Sequence, residues 1–270
     1  MKAVEPLSPR AYQVAEAYNL GEPRAEFLDK KPFYWLSALK LLGLGIFIVL
    51  TARYILPLYS GADGLIVVVE VLGSLSIICG FVNVGFVVKQ WVQGDPCYYL
   101  CAGGLVVATT KRIKDVLLWK DMLGVQRHLM VSPDSSITNA APDPPSYKFV
   151  LLTKTGRRYI LEDSIGSQLS YSLMEALWPE TLERYLAGRV LTFGDLVLDT
   201  EGLRLTSGGF LPWREAEMPW FDEVRGTLVI SRSNDTQHWA VLPLHEILNV
   251  DLCLQLIEYV LQDIAENAEG

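Results

Sequence analysis

Two apolar stretches decide the fold: "FYWLSALKLLGLGIFIVLTARYILPLY" (33–59) and "GLIVVVEVLGSLSIICGFVNVGFVVKQW" (64–91). A helix needs about 20 apolar residues to cross a bilayer. Between Phe33 and Trp91 only Lys40, Arg53, Asp63, Glu70 and Lys89 are charged. The link "SGADG" (60–64) is short and turn-like, which predicts two antiparallel neighbours, a transmembrane helical hairpin over 32–92. Lys30 and Lys31 precede the hairpin, Lys89 closes it, and the link has no basic residue. That asymmetry predicts a multi-pass protein of the cell membrane with both termini in the cytoplasm. Phe33, Tyr34, Trp35, Tyr54, Tyr59 and Trp91 lie where interfacial aromatics are expected.

Arg53 and Glu70 stand inside this apolar sequence. If the turn centres between Gly61 and Ala62, the two lie at one depth, which predicts an intramembrane ion pair. A lone charge at the bilayer centre costs roughly 2.5–3.5 kcal/mol on insertion scales, and pairing lowers that cost. The other reading of such residues, an ion or proton path, needs more than two helices. Gly43, Gly45, Gly73, Gly80 and Gly85 suit close helix approach, within the hairpin or between copies, so a homo-oligomer is also compatible with the sequence.

The remainder divides by charge and pattern. Residues 1–31 form a polar cytoplasmic segment with five basic and five acidic groups, unlike a cleavable signal peptide. Residues 93–188 carry ten of each, and residues 189–270 carry five basic and fourteen acidic groups. The last third therefore holds a net −9 of the chain's −8, which disfavours nucleic acid as a partner. Period-two alternation begins after Trp91, and a proline-rich loop covers 132–146. Helix spacing follows over "DSIGSQLSYSLMEALW", and a second short helix is expected to start at Pro179. Short strands then recur and end in a helix over "HEILNVDLCLQLIEYVLQDI". The fragment "GGLVV…LLW" (103–119) aligns with "EGLRL…LPW" (201–213). The expected fold class is thus an α+β membrane protein: an N-terminal transmembrane hairpin, then two tandem modules (93–188 and 189–270), each a small β-barrel or sheet with a C-terminal helix.

Leu20-Gly21-Glu22-Pro23 with Phe27, the Gly202-Leu203 strand start and the Leu211-Pro212-Trp213 turn carry a resemblance. The chain resembles an uncharacterised bacterial family of two-span membrane proteins with cytoplasmic pleckstrin-homology-like (PH-like) domains. The resemblance implies a PH-like fold for the modules and a membrane address. It brings no catalytic residue.

The residues themselves point away from an enzyme. There is no phosphate-binding G-x-x-x-x-G-K-[ST] and no G-x-S-x-G elbow. Cys79, Cys97, Cys101 and Cys253 lack metal-ligand spacing with His128, His238 or His245, and read as reduced packing cysteines. Glu215, Glu217, Asp222 and Glu223 read as a solvated strand face rather than a metal site. Neither catalytic residues, nor a metal, nor a cofactor is expected. Lys111, Arg112 and Lys114 are candidates for contact with the anionic inner leaflet, the other reading being a surface strand. Trp213, Trp220 and Trp239 are candidate anchors for a protein partner, with core packing open for at least one. The expected function is a membrane-anchored, non-enzymatic interaction or scaffold protein. A lipid-headgroup binder and an accessory subunit of a membrane enzyme or transporter are the alternatives.

Overall fold

The structure is a computed structural model that describes residues 7–28, 35–54, 63–130, 145–233, 235 and 237–269. It is an α+β chain built from several small antiparallel sheets. A short helix, α1 (Pro9–Ala17), precedes β1 (Pro23–Leu28). Two long helices follow, α2 (Trp35–Tyr54) and α3 (Asp63–Gln93). Then come β2 (Pro96–Cys101), β3 (Gly104–Thr109) and β4 (Ile113–Leu118), which form one sheet with β1 in the order β1-β2-β3-β4. The first sheet thus takes its edge strand from ahead of the helical pair, outside the 93–188 span expected for the first module. β5 (Met122–Met130), β6 (Ser146–Thr153) and β7 (Arg158–Glu162) make a three-stranded sheet, closed by α4 (Asp163–Leu186).

The pattern then repeats. β8 (Leu191–Phe193), β9 (Leu196–Leu198), β10 (Gly202–Leu205) and β11 (Phe210–Pro212) form a four-stranded sheet. β12 (Trp220–Asp222), β13 (Thr227–Ser231) and β14 (His238–Pro243) form a three-stranded one, closed by α5 (Val250–Glu269). The aligned fragments share several local features. In each repeat a 3-10 turn begins at the tryptophan, Trp119 or Trp213. The Trp119 indole donates to Ala102 O at 2.6 Å and the Trp213 indole to Asp199 O at 2.8 Å. Both strands also need glycine where they pass a carbonyl. A Cβ on Gly104 would lie 2.2 Å from Leu117 O, and one on Gly202 would lie 2.1 Å from Leu211 O.

Two compact units divide the chain, 1–14 with 23–99 and 106–116, and 15–22 with 100–105 and 117–270. The first contains α2 and α3, which run antiparallel. An added Cβ would meet a neighbour at 3.1 Å (Gly80 to Leu42), 2.8 Å (Gly45 to Ile77) and 2.6 Å (Gly73 to Val49). Each of these pairs of positions sums to 122, within one residue of the mirror expected from the turn. Gly43 and Gly85 have open space instead. Among the described residues one stretch, Val71–Gln93, is long and apolar enough to cross a membrane, with mean hydropathy 2.2; Leu39–Thr51 is a shorter apolar helical stretch.

The second unit holds the other sheets. In the second repeat Leu196, Leu198, Leu203, Leu211, Leu228, Ile230, Leu256 and Ile257 form the core. α4 is one continuous helix rather than the two expected around Pro179. A proline inside a helix removes one hydrogen bond and costs about 3 kcal/mol. Burial on both sides of it offsets that loss. Leu169 and Leu173 are buried before it, while Leu177, Trp178, Leu182 and Tyr185 pack against the core of the second repeat. The helix stops where Gly188 takes φ +72°, with its N–H on Tyr185 O at 2.9 Å.

Candidate functional site

Within the first unit the exit of α3 is built into a defined polar corner. The last four carbonyls of a helix have no intrahelical donor. One of them, Trp91 O, accepts a hydrogen bond from the Lys111 ammonium, which also lies 4.7 Å from the centre of the Trp91 ring. Lys111 is delivered there by the β3–β4 turn, which is fastened at several points. Thr110 N donates to Asp95 O at 2.9 Å, and Asp95 N donates to Thr110 Oγ1 at 3.2 Å. From α1, Arg10 donates to Thr110 O and, at 3.2 Å, to Thr109 O. Gly94 makes the bend with φ +75°, and a Cβ there would lie 2.4 Å from Thr110 Oγ1. Lys111, Arg112 and Lys114 are all exposed, as is Lys89 one turn back on α3. Arg112 and Lys114 have no side-chain partner among the described residues.

Within the second unit the two repeats are joined through β5. Arg127 Nη2 donates to both carboxylate oxygens of Asp251, at 3.1 and 3.2 Å. Ser170 of α4 donates to the same carboxylate. The guanidinium sits among three rings, 5.6 Å from Tyr147, 5.1 Å from Phe149 and 5.6 Å from Phe221. Asn249, at φ +53°, receives Val125 N on its side chain at 2.9 Å and donates its own N–H to Val125 O at 2.9 Å. Beside them His128 and His245 stack with ring centres 5.4 Å apart. Burial, reinforced by the neighbouring His245, holds the His128 imidazole below its ordinary value. These contacts fasten the repeats together.

A cleft of about 640 Å³ lies in the second repeat beside Trp213, between the β9–β10 turn and the end of α5. Its polar lining includes Glu201, which is already bonded to Arg204 at 2.9 Å, and Arg214. Nearby Asp199 is pushed up by burial, but Arg204 and the amides of Glu201 and Gly202 outweigh this and hold its carboxyl below the ordinary range. Among the described residues no group of three or more His, Cys, Asp or Glu side chains could hold a metal.

The expected site residues fall in different places. Lys111 contacts Trp91 at the helix exit, while Arg112 and Lys114 follow it in the chain and are exposed. Trp213 is only 4% exposed and belongs to the core of the second repeat, so it is not a surface anchor. Leu211, two residues earlier, is buried as well, and a 3-10 turn begins at Trp213 itself. Trp239 packs against the same core, whereas Trp220 is 49% exposed, its ring edge-on to His238 at 6.2 Å. Arg53 is exposed in the last turn of α2; the Glu70 side chain, and with it the expected ion pair, lies outside the described residues.

The model of a family of unknown function, DUF6585, matches residues 2–266. The chain belongs to that family. No curated protein and no solved structure matches this DUF6585 chain. Sequence reading missed Arg10 and Arg127, each of which acts on partners about a hundred positions away in the DUF6585 chain. No local pattern marks such a residue.

Proposed function

We propose that the chain is a membrane-anchored, non-enzymatic interaction protein whose two PH-like modules are held on the cytoplasmic side by a two-span hairpin. The observation that carries this reading is the helical pair. α2 and α3 approach closely along Gly45, Gly73 and Gly80, while large apolar side chains such as Phe47, Leu50, Leu75, Phe81 and Phe86 stay exposed on their outer faces. Isolated exposed apolar residues are ordinary, but a continuous apolar surface on a helix of this length suits a lipid environment. The repeated arrangement of four strands, three strands and a closing helix supports the PH-like assignment. The non-enzymatic part rests on the sequence, which carries no nucleophile, phosphate or metal motif. The exposed Trp220 and the net −9 of the second module favour a protein partner with a basic surface.

Topology reporters fused at Asp63 and after Gly270, combined with alkaline extraction of membranes, test the reading. The chain is expected to resist extraction, with Gly270 cytoplasmic and Asp63 external. Release by alkali, or an external Gly270, refutes the anchor or its orientation. For the partner, a photo-crosslinking residue at Trp220 is expected to give one discrete adduct that charge reversal at Glu217 and Glu223 weakens. No adduct, or an adduct indifferent to charge, removes the basic-partner reading.

A further inference from the structure

We propose that the exit of α3 is a lipid-phosphate collar, in which Lys111 fixes the β3–β4 turn to the helix end and Arg112 and Lys114 bind anionic phospholipid headgroups. The inference rests on the proposed reading of α3 as a membrane-crossing helix and adds to it a ligand and a division of labour. Lys111 is already committed: its ammonium holds Trp91 O and covers the indole ring. Arg10 braces the same turn through the carbonyls of Thr109 and Thr110, so two separate cations organise its backbone. Arg112 and Lys114, by contrast, are exposed and have no side-chain partner among the described residues. Lys114 lies in β4 and Arg112 directly before it, two positions apart, so the strand alternation places them on one side and Asp115 on the other.

Depth is what turns these cations into a site. Trp91 is 67% exposed in the last turn of the apolar segment Val71–Gln93, and tryptophan settles at the headgroup level of a bilayer. Because Lys111 is bonded to Trp91, the residue that follows Lys111 is held at the same level. Lys89, two residues deeper and exposed, has a stem long enough to snorkel to it. The cations are thereby pre-placed where lipid phosphates lie, and binding costs little ordering of the turn. An arginine meets a phosphate through two parallel N–H donors, a geometry lysine lacks, so Arg112 is the main contact and Lys114 adds charge.

The test uses the full chain in neutral detergent and follows energy transfer from tryptophan to dansyl-labelled phosphatidylglycerol or phosphatidylcholine. Two basic groups near an anionic surface correspond to roughly a thirtyfold preference for the anionic lipid. Arg112→Gln with Lys114→Gln is expected to abolish the preference, Arg112→Lys to retain part of it, and Lys111→Ala to lower it by loosening the turn. Equal titrations for wild type and the double variant overturn the collar. So does full competition by inorganic phosphate at matched ionic strength, which would make the corner a free-anion site. Flotation of the full chain with pure phosphatidylcholine vesicles is a separate arm. A chain that fails to float sinks the membrane reading itself, whereas one that floats without anionic preference sinks only the collar.

Discussion

Arg127 and Asp251 join the two repeats, the guanidinium bridging both carboxylate oxygens at 3.1 and 3.2 Å from the middle of β5 to the first turn of α5. The pair is mostly shielded, with side-chain exposures of 19% and 26%. Asp251 also suits the positive end of α5. Hydrogen bonds between charged groups contribute about 1.5–3 kcal/mol, and three rings surround the guanidinium. Arg127→Ala is therefore expected to destabilise the second unit by about 2–3 kcal/mol. Adding Asp251→Ala should cost less than the sum of the single changes. Denaturant unfolding of the four proteins of this cycle measures the coupling, and strict additivity would mean that the contact is not made.

His128 gives the junction a pH dependence with a definite sign. Burial, then the nearby His245, holds its imidazole below the ordinary 6.5, so the folded chain protonates only at lower pH than the unfolded one. As pH falls below about 6.5 the unfolded state binds more protons and stability declines. Thermal unfolding between neutral and mildly acidic pH should show that decline, and His128→Gln should flatten it. An unchanged slope in the variant would place the titration elsewhere.

Trp213 and Trp220 should separate cleanly. Removing a buried tryptophan costs about 3–5 kcal/mol, and Trp213 also donates to Asp199 O at 2.8 Å. Trp213→Ala is expected to unfold the second module or lower its melting temperature steeply. Trp220→Ala should change stability by less than about 1 kcal/mol, since the ring is half exposed. Circular dichroism melting of both variants decides this, and a reversed order would mean that the two roles have been exchanged.

The helical pair assigns different tolerances to its glycines. Gly45→Leu and Gly73→Leu place new atoms within 2.8 and 2.6 Å of the facing helix. Gly43→Leu meets nothing within 4 Å. The first two changes should reduce the amount of protease-resistant chain in membranes, and the third should leave it unchanged. Greater damage from Gly43→Leu would show that its face is covered by another copy or partner.

β1 lies in the same sheet as β2, although the helical pair separates them in the chain. A fragment starting at residue 93 lacks that strand and leaves an unpaired edge, which invites association. Replacing residues 29–94 by a flexible linker retains the strand and removes the apolar pair. The linked protein should be monomeric and melt at a higher temperature than fragment 93–270. Equal melting would mean that β1 contributes nothing to the fold.

Periodicity by itself determined much of this protein. The two long helices and their antiparallel register within one residue follow from composition and chain length alone, because a helix side chain's neighbours are set by spacing. The repeat was also legible, since Gly104 with Trp119 and Gly202 with Trp213 serve local needs, a tight strand crossing and a turn. Three features were decided only in three dimensions. β1 joins a sheet across the intervening helical pair, and hydrogen bonding between strands leaves no mark on either sequence. α4 runs through Pro179 because the cores on both sides supply more burial than one lost hydrogen bond removes. Arg10, Arg127 and the buried state of Trp213 depend on partners brought from distant positions. The strand pattern that places an aromatic ring does not say whether core or solvent will meet it. Packing of the remaining elements decides that.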